Sequence, residues 1–156
     1  MNKQPPPSIP FTKSAYEQME TEVEQLLQLR KEVLVRLQAA REMGDLSENG
    51  AYTYAKMELG NINRQLRQLR YLLKFGQVIE KPVGNSVVSF GSSVTVEKNG
   101  QDVAYTLVSI HESNLLEKKL STESPLGAAL MGKKIGDVVE VTAPAGITSY
   151  RIKSIQ

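Results

Sequence analysis

Gly44-Asp45-Leu46-Ser47-Glu48-Asn49-Gly50 is the one interruption between two long runs of coiled-coil pattern, and the architecture follows from it. Before it, apolar side chains recur at Tyr16, Met19, Val23, Leu26, Val33, Leu37 and Ala40, a 3-4-3 spacing broken only by Arg30. After it the spacing resumes without a miss at Tyr52, Ala55, Leu59, Ile62, Leu66, Leu69 and Leu73. A seam sustained this long belongs to helices packed on each other rather than to an ordinary surface helix. A short link between two such helices folds the second back along the first as an antiparallel hairpin. The first arm, spanning residues 12–43, would be about 45 Å long at 1.5 Å per residue. The acidic stretch therefore sits at the far tip of a narrow rod.

Composition narrows the class. The chain has 156 residues, 40% hydrophobic and 23% charged, the profile of a folded globular protein. With the hairpin taking up about sixty residues, the remainder suffices for one domain with a modest core. No apolar run approaches the roughly 20 residues that span a bilayer, so no membrane association is expected. Met1-Asn2-Lys3-Gln4-Pro5-Pro6-Pro7 lacks the apolar core of a signal peptide, which points to the cytoplasm. The absence of cysteine excludes disulfides and thiolate metal sites, and a single histidine, His111, argues against histidine-based catalysis. A net charge of +2 is too small for non-specific nucleic-acid binding by the whole chain.

Along the chain, residues 1–11 read as a Pro-rich tail in which only Ile9 and Phe11 pack. Thr12 suits the N-cap of the first helix, and Ser14 with Glu17 fits the capping-box spacing equally well. The second arm, Asn49 to Phe75, carries Arg64, Arg67 and Arg70 on roughly one face, which reads as solvated or turned to a domain interface. Gly76 is placed to stop this helix, and Pro82 ends any continuation.

From Val78 the period changes. Strands are predicted at Val87–Phe90, Ser93–Glu97, Val103–Ile110, Val138–Thr142 and Ser149–Lys153. Asn99-Gly100 signals a type I′ hairpin, and Pro144-Ala145-Gly146 a second turn. Ser124 followed by Pro125 opens a short helix, Leu126 to Met131, stopped by Gly132. The predicted class is α+β: a coiled-coil hairpin over residues 12–77, followed by a small antiparallel β domain with one short helix over residues 78–156.

Asp45 and Glu48 admit two readings. Their spacing fits a capping box, with Asp45 as N-cap and Glu48 as N3 of the second arm, worth about 1 kcal/mol. Alternatively both project from the tip as ligands for a divalent cation. Mg²⁺ requires six oxygen ligands in near-octahedral geometry, which two carboxylates on an exposed loop do not supply. A metal served by these residues must then be shared with another macromolecule. The readings are compatible, since a cap residue retains a second oxygen.

Ala40-Arg41-Glu42-Met43-Gly44-Asp45-Leu46-Ser47-Glu48-Asn49, with Tyr52 beyond, closely resembles the hairpin tip of the bacterial Gre transcript-cleavage factors. The resemblance continues in Phe90-Gly91, Ser124-Pro125-Leu126, Leu130-Met131-Gly132-Lys133, Gly136-Asp137-Val138-Val139 and Thr142-Ala143-Pro144-Ala145-Gly146, and extends from Phe11 to the C-terminus. It implies an FKBP-like C-terminal domain that docks on bacterial RNA polymerase at the rim of its secondary channel, while the hairpin enters the channel. It further implies that Asp45 and Glu48 help hold an Mg²⁺ ion jointly with the polymerase and position a water. The polymerase then cleaves the 3′ end of backtracked nascent RNA and escapes arrest. On this reading the chain is no enzyme by itself but a monomeric accessory factor. Arg41 and Lys56 align with basic positions that contact the extruded RNA; the alternative for each is a solvated helix-face charge. Ser124 and Pro125 match a loop used against the polymerase, the alternative being helix capping alone. Nothing argues for a ligand role of His111.

The sequence also departs from the family. Asn49-Gly50-Ala51-Tyr52 stands where Asn-Ala-Glu-Tyr or Asn-Ala-Asp-Tyr is common, so one acid is missing at Ala51. Tyr52-Thr53-Tyr54-Ala55-Lys56 looks like the branch that cleaves longer fragments, whereas Leu46 looks like the other. The nearest rival is a Gre-like channel protein that inhibits polymerase without stimulating cleavage, although such relatives carry additional tip acids. A self-sufficient hydrolase would need a walled pocket, which a coiled-coil tip lacks. A pure coiled-coil adaptor would use the tip acids only as caps.

Overall fold

The apolar spacing is realised as two long helices, α1 (Lys13–Glu42) and α2 (Gly50–Phe75), in a computed structural model that describes residues 7–80, 82, 84 and 86–156. Residues 1–6 of the Pro-rich stretch lie outside the described residues. Val33, Leu37, Ala55, Ile62 and Leu66 form the buried core between the helices, flanked by half-buried Val23, Leu26, Leu27, Tyr52 and Leu59. The break at Arg30 has a partner across the seam: its Nε donates to Oδ1 of Asn63 at 2.9 Å. A polar pair within an apolar seam fixes register, because sliding the helices would leave both groups facing apolar neighbours. Nearer the tip, Arg36 meets both carboxylate oxygens of Glu58 at 3.0 Å. At the open end, the Tyr16 hydroxyl donates to the carbonyl of Leu73 at 3.1 Å.

Gly60 lies on the exposed side of α2, and a Cβ added there would meet nothing within 4 Å. Gly60→Ala is therefore expected to stabilise the hairpin by about 1 kcal/mol, through reduced backbone entropy of the unfolded chain. Urea unfolding followed by helical circular dichroism measures the gain; an unchanged or lowered midpoint would show that the glycine is needed for another reason.

Thr12 rather than Ser14 caps α1: its Oγ1 accepts from the Ala15 N–H at 3.3 Å. The Thr12 N–H and hydroxyl in turn donate to the two carboxylate oxygens of Glu112, at 2.8 and 2.7 Å. Gly76 does stop α2, but with φ −71° and ψ 139° it leaves the helix directly into extended chain, without the left-handed turn of the usual glycine stop.

The chain divides into two compact units, Tyr16–Gly76 and Ile9–Ala15 together with Gln77–Gln156. Residues 9–11, read from sequence as the end of a tail, form strand β1 (Ile9–Phe11), which pairs with β2 (Gly76–Val78). Phe11 is buried, 1% exposed, with its ring centroid 6.0 Å from that of His111.

The main sheet contains β3 (Ser93–Lys98), β4 (Gln101–Val108), β5 (Lys119–Ser121), β6 (Val138–Ala143) and β7 (Gly146–Ile155), in the order β5-β4-β3-β7-β6. Asn99 and Gly100 both have positive φ, 51° and 78°, as a type I′ turn requires. Helix α3 (Pro125–Leu130) adds Leu130 to a core of Val88, Val94, Val96, Leu107, Leu120, Val139 and Ile152.

Two strand expectations need correction. Val87–Phe90 is not a strand: Val87 makes only an isolated bridge to Lys134. A turn cuts the run short, with the Ser89 N–H donating to Ser92 Oγ at 3.1 Å and Gly91 at φ +80°. The missed element is β5, three residues long and too short to show a period, which runs parallel to β4. The sheet is thus antiparallel except for this one pair. The third predicted strand also ends early, at Val108, because Ser109 opens a 3₁₀ turn, Ile110–Glu112.

Candidate functional site

The tip is built from the ends of the two helices. Gly44, at φ +114°, turns the chain out of α1 through a backbone conformation that side chains with a Cβ rarely adopt. Asp45 Oδ1 then accepts from both the backbone N–H of Ser47, at 2.9 Å, and its hydroxyl, at 2.7 Å. These two hydrogen bonds, the hydroxyl's first, hold the Asp45 carboxyl below the usual range. Oδ2 of Asp45 has no partner among the described residues, and neither does the exposed carboxylate of Glu48.

The capping-box expectation is overturned. The N-cap of α2 is Asn49, with φ −88° and ψ 94°, whose Oδ1 accepts from the Tyr52 N–H at 3.1 Å. Its side-chain nitrogen reaches back to the carbonyl of Ala40 at 2.7 Å, so one side chain joins the end of α1 to the start of α2. The physical reason is that Asp45 is committed to the Ser47 turn, so the helix starts only after the chain has crossed over. Neither acid is consumed by capping. Both stand on an exposed loop that is fixed at Ser47 and Asn49.

Arg41 and Lys56 both approach the ring of Tyr52. The guanidinium carbon of Arg41 lies 5.7 Å from the Tyr52 ring centroid, and Lys56 Nζ lies 6.0 Å from it. Arg41 occupies the last turn of α1, where a cation opposes the helix dipole favourably. The sequence reading missed Ser47, Asn49 and Tyr52 as organisers of the tip. The Asp-x-Ser spacing of 45–47 and an asparagine just before the resumed apolar period were the available signals.

Farther along the hairpin, Arg67 and Arg70 line a groove of about 430 Å³ with Leu27, Arg30, Asn63 and Leu66; Arg64 is exposed but does not line it. In the other unit, Ser124 caps α3, its Oγ accepting from the Gly127 N–H at 3.0 Å and donating to the Ser121 carbonyl at 2.6 Å. Pro125 follows at the first helical position, exposed.

The tip offers two carboxylates with unengaged oxygens, a partial set of the oxygen donors that Mg²⁺ takes. Among the described residues, no three His, Cys, Asp or Glu side chains gather into a group able to hold an ion. Two carboxylates alone fall short of the six oxygen ligands of an octahedral shell. Nor is any helix among the described residues long and apolar enough to cross a membrane.

Comparison with known proteins identifies the family. Residues 9–78 match the family described as "Transcription elongation factor, N-terminal", and residues 83–156 match "Transcription elongation factor, GreA/GreB, C-term". The chain is 39% identical over 152 residues to the transcription elongation factor GreA of Thermosipho africanus, covering 96% of this chain and 97% of that one. It is 40% identical over 150 residues to the GreA of Syntrophomonas wolfei, covering 94% of each. Among solved structures, the GreA factor homolog 1 (Gfh1) protein of Thermus thermophilus is 29% identical, with 96% of this chain and 99% of that one covered and a TM-score of 0.46. The chain belongs to the GreA/GreB family of transcription elongation factors.

Proposed function

We propose that this protein binds bacterial RNA polymerase, inserts the hairpin into its secondary channel and stimulates cleavage of the 3′ end of backtracked nascent RNA. The observation that carries the reading is the pair of exposed acids, Asp45 and Glu48, at the end of a hairpin whose loop spends neither of them on capping. The second unit, through Ser124 and Pro125, docks on the polymerase. Arg41 and Lys56 neutralise phosphates of the extruded RNA. Asp45 Oδ2 and the Glu48 carboxylate are the groups that would hold an Mg²⁺ ion jointly with the polymerase. When held there, Mg²⁺ would supply charge stabilisation for the attacking and leaving oxygens of phosphodiester hydrolysis. The factor holds no complete active site, so hydrolysis belongs to the polymerase and the protein acts as an accessory, as a monomer in the cytoplasm.

The test is RNA release from a halted, backtracked bacterial elongation complex in Mg²⁺, with and without the protein. Short 3′ fragments released only in its presence support the proposal. No fragments, despite competition with a cleavage-active Gre factor for the polymerase, would sink it in favour of the inhibitory relative.

A further inference from the structure

We propose that Tyr52 is a positioning residue whose ring seats Arg41 and Lys56 together as one phosphate-binding pair beside the tip acids. The inference rests on the cleavage reading and goes beyond it by assigning a role to an uncharged side chain.

Arg41 and Lys56 come from different helices, one at the end of α1 and the other nearly two turns into α2. Neither has an ion-pair or hydrogen-bond partner among the described residues, so no carboxylate fixes or neutralises them. Two long cationic side chains drawn to one site repel and would otherwise spread into solvent. The electron-rich face of an aromatic ring attracts both, offsetting that repulsion and restricting their rotamers. Tyr52 is the ring that both approach, at 5.7 and 6.0 Å. The ring itself is held firmly, since it is half-buried against the hairpin core and its backbone N–H is capped by Asn49. Its hydroxyl makes no hydrogen bond among the described residues, so the ring face is the operative part.

Substitution separates this role from plain packing. Tyr52→Phe keeps the ring; Tyr52→Leu keeps an apolar core side chain and removes the π face. Stimulated cleavage at saturating factor is expected to fall about five- to tenfold for Leu, the scale of two lost cation–ring contacts, and to be largely restored by Phe. In an Arg41→Ala, Lys56→Ala background the Leu substitution should cost almost nothing more, because the groups that it positions are gone. The free protein provides an independent readout: ring-current shifts of the Arg41 and Lys56 side-chain methylenes by NMR, present with Tyr or Phe and lost with Leu.

Additive losses in the double-mutant cycle, a Phe variant as defective as Leu, or missing ring-current shifts in the wild type would each overturn the positioning role. A wild-type protein that releases no fragments overturns the cleavage reading and this role with it. Normal wild-type cleavage combined with additive Tyr52 losses overturns the positioning role alone.

Discussion

Replacing Asp45 with Asn is expected to reduce stimulated RNA cleavage by about a hundredfold or more, since even outer-shell partners of catalytic metals are worth roughly 10- to 100-fold. The substitution is chosen for what it preserves. Asn retains an Oδ1 able to accept both Ser47 hydrogen bonds, at 2.9 and 2.7 Å in the native loop, so the turn survives while the charge is lost. Glu48→Gln is the companion change and should act alike, since the Glu48 side chain has no partner among the described residues that its replacement would disturb. Neither variant should alter thermal unfolding or competition for the polymerase. A loss of binding in parallel with cleavage would show that the acids dock the factor rather than complete the hydrolytic site.

The direction of the Asp45 shift adds a pH expectation. A carboxyl held below the usual range stays ionised as pH falls through ordinary carboxylate values, and its charged form is lost only below its own depressed value. Any decline of stimulated cleavage between neutral pH and pH 6 therefore has to arise in groups other than Asp45.

The second large effect is structural. Gly127→Ala should destabilise the C-terminal unit by about 3 kcal/mol or more, at or beyond the upper end of overpacking losses. A Cβ at Gly127 would lie 1.9 Å from the carbonyl oxygen of Ser121 and 2.9 Å from its carbon. Those are backbone atoms, and the same carbonyl accepts the Ser124 hydroxyl at 2.6 Å, so the obstruction is anchored. Relief requires moving α3 off the sheet, which would withdraw Leu130 from the centre of the core. In a domain of this size the loss corresponds to a fall in midpoint of roughly 12 °C or more. Calorimetry of the full chain tests it. The hairpin helices, with their own core, should keep their circular dichroism signal at temperatures where the β unit has melted. A variant that melts within about 2 °C of the wild type would mean that α3 tolerates the shift cheaply.

The parts of this fold that sequence revealed are those governed by long periods. The two helices, their antiparallel return and the Asn99-Gly100 turn were legible because each rests on a repeated spacing or on a backbone conformation that few residues accept. Elements decided by tertiary pairing were not. Lys119–Ser121 becomes a strand because β4 offers an edge, whereas Val87–Phe90 has the composition of a strand but meets the Ser89–Ser92 turn. At the tip, the identities of Asp45 and Glu48 were legible and their local duties were not. A capping box and an Asp-Ser turn compete for the same carboxylate, and only the position of Asn49 between Ala40 and Tyr52 decides where the helix begins. The association of Arg41 and Lys56 through Tyr52 joins residues on opposite sides of the chain reversal, which no local pattern encodes.

The division of the chain at Ala15 and Gly76 has a consequence for how the molecule can be taken apart and rebuilt. Because residues 9–15 belong with the C-terminal unit, the hairpin is an insertion within that unit rather than a domain that precedes it. A fragment beginning at residue 78 would abandon β1, the buried Phe11 ring and the Thr12 partner of Glu112. The workable cut is an excision: residues 16–76 removed and the flanking chain rejoined by a tight turn, giving a self-contained β module. By the same logic the hairpin is a cassette of adjustable length. Adding or deleting matched heptads in both arms would reset its reach in steps of about 10 Å per seven residues while sparing the module from which it springs.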